Sequence, residues 1–134
     1  MSQNTPFEVG VSRQIGTYAD AVRVPAGFDH IFVSGTPGLA PDGVLAEGIA
    51  AQSEQAWANV QAALEKAGAR LEDIVSVHHW LKNEADIPGY VAVRNRFISH
   101  QPVYMLAVIP SLVRDDFLVE VEVIAAVDPD RVVA

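Results

Sequence analysis

The sequence predicts an α+β domain from three observations: two segments with apolar residues at three- and four-residue spacing, several short β-branched runs, and a closing segment that alternates strictly. A chain of 134 residues, half of them apolar, can bury one core and is too short for two ordinary domains. Residues 1–134 are therefore expected to form a single domain.

Residues 21–24 and 30–34 are β-branched runs separated by Pro25, Ala26, Gly27 and Phe28, which reads as a β-hairpin whose second strand ends at Ser34 and Gly35. Pro37, Gly38, Pro41, Asp42 and Gly43 follow as a turn-rich loop. Ile49, Ala56, Trp57, Val60, Ala63, Leu64 and Ala67 then recur at helical spacing, and Gly68 is placed to close that helix. Residues 74–81 read as a strand. Residues 86–99 read as a second helix, with Tyr90, Val93 and Phe97 along one face and Pro88 tolerated in the first turn. The almost wholly apolar run 103–109 is expected to be a strand covered on both faces. In 117–127, Val119, Val121 and Val123 alternate with Glu120, Glu122 and Ile124. The order is ββαβαββ, a mixed sheet with two helices on one face. Two helices cover only one face of such a sheet, so the other is expected to be buried against further copies of the chain.

The formal charge is −8 with no basic stripe, which argues against a nucleic-acid partner. Arg94 and Arg96, on the second predicted helix, read as charges on a solvated face. No apolar stretch approaches the roughly 18 residues of a membrane span, and residues 1–10 are polar with no basic start. No membrane partner and a cytoplasmic location are expected. The absence of cysteine excludes disulfides, a thiolate nucleophile and Cys-ligated zinc.

Glu120 and Glu122 stand two apart on a strand, so both carboxylates project from one face, about 7 Å apart. On a solvated face they are ordinary surface charges. On a buried face, repulsion and desolvation would raise at least one pKa toward that of a general acid or base. His78 and His79, adjacent on a strand, point to opposite faces and cannot chelate one metal together, and His30 and His100 supply no motif spacing. No metal is expected. Ser34 lacks the GxSxG context of a nucleophile elbow, and no phosphate loop or dinucleotide fingerprint occurs, so no cofactor is indicated.

Taken together, several fragments resemble the Rid family, also called YjgF or L-PSP endoribonuclease. They are Ile15-Gly16-Thr17-Tyr18-Ala19-Asp20-Ala21-Val22, Phe32-Val33-Ser34-Gly35, Gln52, Asn59-Val60, Asp73-Ile74-Val75 and Leu118-Val119-Glu120-Val121-Glu122-Val123-Ile124-Ala125. The resemblance runs from about residue 15 to 127 in unbroken order. It implies a chorismate-mutase-like fold assembled as a homotrimer, with a small-molecule ligand bound in clefts between subunits. Deaminating members hydrolyse enamines and imines to keto acids and ammonia without a cofactor. By position, Tyr18 would line the pocket, Ser34 and Gly35 would contact the ligand, and Glu120 would orient or activate water.

One position departs from the family. The arginine that grips the substrate carboxylate is replaced: Pro102-Val103 is followed by Tyr104. A phenol cannot supply the bidentate, permanently charged anchor of a guanidinium. Tyr104 either contacts a less charged ligand or fills the pocket, and Arg114 could supply a cation from another direction. Two functions follow from the resemblance: a cofactor-free hydrolase or deaminase acting on a small enamine or imine, or a ligand-binding trimer without catalysis. Ribonuclease activity fits least, because neither a basic track nor an aromatic stacking platform is visible.

Overall fold

The computed structural model describes residues 3–131; both ends of the expected domain, 1–2 and 132–134, lie outside the described residues. Among the described residues, six strands and two α-helices follow one another as β1 (Thr5–Phe7), β2 (Ala21–Arg23), β3 (Asp29–Pro37), α1 (Gly48–Lys66), β4 (Ile74–Leu81), α2 (Ile87–Phe97), β5 (Val103–Val108) and β6 (Val119–Val127). The main sheet has the order β3-β6-β4-β5, antiparallel except for the parallel pair β4/β5. Both helices lie on one face of it.

Each helix forms where the apolar spacing places it. The buried stripe of α1 carries Ala56, Trp57, Val60 and Leu64, which meet Val77 and Leu81 of β4 and Val119, Val121 and Val123 of β6 in one core with Tyr90 of α2. Gly68 ends α1 at φ +86°, a conformation costly for any residue with a Cβ. The amides of Gly68 and Ala69 donate to the carbonyls of Glu65 and Leu64, at 3.1 and 2.8 Å, in a Schellman closure. Pro88 sits in the first turn of α2, where its missing N–H costs no helical hydrogen bond.

The expected β2/β3 hairpin is not formed. β2 pairs with β1 in a separate two-stranded sheet, while β3 pairs along its length with β6. Pairing with β6 turns Ile31 and Val33 toward the core, whereas β2 has only three residues to offer. Nor does the second strand stop at Ser34 and Gly35. It bulges between Val33 and Thr36 and resumes to Pro37. β5, expected to be covered on both faces, is an edge strand of the chain, and Met105 on its open side is 58% exposed.

Candidate functional site

The segment before β2 docks on β5: the Ala19 amide donates to the Pro102 carbonyl at 2.9 Å, and Ala19 bridges Val103. Asp20 secures this segment by accepting the amides of Val9 and Ser12 at 2.6 and 2.9 Å, and these bonds, the first above all, hold its carboxyl below the usual range. Tyr18 is thereby laid against Tyr104, with ring centroids 5.3 Å apart and planes 29° from parallel. His79 meets Tyr104 edge-on at 4.7 Å and shares a hydrogen bond through Nδ1 with the Tyr90 hydroxyl. The Arg94 guanidinium lies 4.6 Å from the Tyr104 ring centroid. Tyr18, Arg94 and Tyr104 border a cavity of about 490 Å³ whose other walls include Ile15, Ile87, Val91 and Leu106. That volume lies within the usual range for small-ligand sites.

Burial sets the protonation of this region. It pushes the Tyr104 hydroxyl up to about 12, against the nearby Arg94 charge, so Tyr104 stays a neutral phenol at physiological pH. It also raises the Tyr90 hydroxyl. Desolvation first, then the charges of Arg94 and His78, drives His79 well below the ordinary histidine value. The imidazole is neutral.

Glu120 lies elsewhere. In β6 it stands opposite Pro37 and Trp80, on the open face of the sheet, whereas Tyr104 pairs with Val77 and faces the helices. Ser34 and Gly35 occupy the β3 bulge beside it. A Cβ at Gly35 would stand 3.1 Å from Glu120 Oε1, so the absence of a side chain there leaves room for the carboxylate. Burial raises the Glu120 pKa, assisted by Glu122 and opposed by a backbone hydrogen bond from Val113. Glu122 instead pairs with His78 Nδ1 at 2.9 Å, next to Ser34 and Ser76. His78 and His79 point to opposite faces, as their adjacency requires.

The chain therefore brings Tyr18 and Tyr104 together, brings Ser34, Gly35 and Glu120 together, and holds the two groups on opposite faces. Arg114 joins neither: Asp116 engages its guanidinium at 3.1 and 2.9 Å, and it lies 4.8 Å over Phe117. Sequence reasoning missed Arg94, which was assigned to a solvated face and is 5% exposed. Its spacing from Tyr90, four residues earlier, places both on one helical face and was the available signal.

A four-stranded mixed sheet bearing two helices on one face defines the YjgF-type, chorismate-mutase-like class of α+β proteins. A family model described as endoribonuclease L-PSP matches residues 11–127, and the chain belongs to that family, also called the Rid or YjgF family. A RutC family protein of Pyrococcus abyssi is 32% identical over 127 residues, covering 93% of this chain and 98% of that one. The crystal structure of RidA from the Antarctic bacterium Psychrobacter superimposes with a TM-score of 0.71 at 29% identity, covering 95% of this chain and 97% of that one. A protein of Dermatophagoides farinae named 2-iminobutanoate/2-iminopropanoate deaminase is 29% identical over 85 residues, 62% of this chain and 64% of its own length.

Proposed function

We propose that the protein is a cofactor-free hydrolase of small imines or enamines, acting in a cleft between copies of the chain, with Glu120 as the group that positions and deprotonates water. The observation that carries this reading is the Glu120 carboxylate set against the bulge at Gly35, partly buried, with a raised proton affinity. Such a carboxylate is better matched to proton transfer near neutrality than an ordinary surface glutamate. The Dermatophagoides relative named as an imine deaminase supports the reaction class. Water adds to the C=N carbon while Glu120 accepts a proton from it. Glu120 returns that proton to the nitrogen of the resulting carbinolamine, whose C–N bond breaks as its hydroxyl gives up a proton, giving a carbonyl compound and ammonia. Tyr18 and Tyr104 of a neighbouring copy would face Glu120 across the cleft and shape the ligand's surroundings.

Tyr104, in place of the family arginine, favours a second reading, a trimer that binds a small ligand without turning it over. The two readings separate in one assay. Imines are generated by an amino-acid oxidase, and ammonia release is measured above the spontaneous rate. The hydrolase reading expects acceleration by the wild type and loss of at least about 100-fold in Glu120→Gln, with the assembly intact. Imine hydrolysis at the spontaneous rate, together with saturable ligand binding, would leave the binding reading standing alone.

A further inference from the structure

Arg94 is a buried cation that meets no carboxylate among the described residues. Arg70, Arg96, Arg114 and Arg131 each reach a carboxylate, those of Glu72, Glu54, Asp116 and Asp73. Arg94, among the described residues, has only the Asn95 side-chain oxygen, at 3.3 Å from Nε and 3.2 Å from Nη2, and the face of Tyr104. The C-terminal turn of α2 favours a positive charge, yet that partial charge does not substitute for an anion around a desolvated guanidinium. An amide oxygen on one edge leaves donors of the five-donor fork for something else. Arg94 borders a cavity of about 490 Å³ whose remaining walls are largely aliphatic and aromatic.

We propose that Arg94 is the anion anchor of this cleft, replacing from helix α2 the arginine that β5 lacks, and that the ligand is a monocarboxylate carrying a bulky apolar side group. This rests on the small-metabolite reading of the cleft and assigns the substrate class within it. The guanidinium takes the carboxylate, and the wall of Ile15, Ile87, Val91 and Leu106 takes the apolar group. Tyr104 then serves as more than filler: its ring supports the guanidinium, and its hydroxyl, protonated at physiological pH, remains a neutral donor. A net charge of −8 makes such a local cation necessary for any anionic ligand.

Calorimetric titration of the assembled protein with stable keto-acid products tests the assignment without relying on turnover. The probes are 4-methyl-2-oxopentanoate, pyruvate and the methyl ester of the former. Wild type is expected to bind 4-methyl-2-oxopentanoate more tightly than pyruvate, and at least about tenfold more tightly than the uncharged ester. Arg94→Met should lose that preference for the acid, and Arg94→Lys should recover part of it. Circular dichroism and sedimentation verify that both variants fold and assemble. Equal wild-type affinity for acid and ester overturns the proposal whatever the variants do, and would be the outcome if a carboxylate of another copy already neutralised Arg94. Unaltered acid binding by folded Arg94→Met, or no binding of either acid, overturns it too. Tight acid binding without ammonia release would sink the hydrolase reading and leave Arg94 as the anchor. Ammonia release that Arg94→Met leaves unchanged would sink the anchor alone.

Discussion

His79 is enclosed by Tyr90, Tyr104, Trp57 and the Arg94 charge, and its imidazole is held neutral, well below the ordinary pKa of 6.5. In the unfolded chain the same histidine takes up a proton near that ordinary value. Below it the unfolded state binds more protons than the folded one, so stability falls as pH falls. Wild type should lose about 1 kcal/mol from this residue between pH 7.5 and 5.5, read from denaturant unfolding at fixed protein concentration. His79→Gln, which keeps a polar partner for Tyr90 without titrating, should flatten that slope. Glu120 acts with the opposite sign, since its raised pKa favours the folded state as pH falls through the window above the ordinary value of 4.5. Its contribution is common to both proteins and cancels in the comparison. At this scale the sequence was legible where geometry is local. Adjacent His78 and His79 had to diverge, and Glu120 and Glu122 had to share a face. Arg94 was misread because an arginine is ordinarily solvated: its spacing from Tyr90 gave the helical face, and its contact with the Tyr104 ring shows that face to be covered.

Helix α1 does more than cover the sheet. Gln52, near its start and 2% exposed, donates to the Asp116 carbonyl at 3.1 Å and accepts the Leu118 amide at 2.8 Å, holding the entry to β6 two residues before Glu120. Asn59, two turns on, donates to the carbonyls of Pro37 and Leu39 at 3.1 and 2.8 Å and so holds the exit from β3. Both ends of the Glu120 neighbourhood are therefore tied to one helix. Gln52→Leu keeps the bulk and removes both bonds, leaving the partly buried Leu118 amide and the Asp116 carbonyl without their partner. It should cost about 1–3 kcal/mol in denaturant unfolding and lower ammonia release more than ligand affinity, because β6 is released while Tyr18 and Tyr104 stay in place. Wild-type stability in this variant would remove the clamp from the account. The elements with strong periodicity, α1, β4 and β6, were legible because burial on one face writes a repeat into the chain. The hairpin was misread because two short β-branched runs joined by a Pro-Gly turn give no information on which partner wins. β1 went unread because all three of its residues are exposed and leave no apolar repeat.

At the scale of the molecule, one sheet face remains open. It carries Phe32, 73% exposed, together with Met105, Trp80 and Ile124, interspersed with Ser34, His78 and Glu122. Tyr18 and Tyr104 lie toward the helices, and Glu120 lies on the open face, so no single copy unites the candidate site. A contact that joins two different surfaces is heterologous, and repeated around an axis it closes into a ring. The family resemblance implies a trimer, for which sedimentation velocity should give three times the chain mass. Phe32 is the informative position for a test. Its side chain contributes little to the core of its own chain, whereas Ile31 and Val33 beside it pack inward. Phe32→Arg should therefore retain the circular dichroism of the wild type while placing a charge where a second copy would bury it, and a mass of one chain is the expected result. If the cleft needs two copies, the same variant should lose ammonia release although Glu120, Arg94 and Tyr104 are all untouched. A Phe32→Arg protein that still sediments as a trimer would move the interface off this face. Full activity in a monomeric Phe32→Arg protein would return the whole site to one chain.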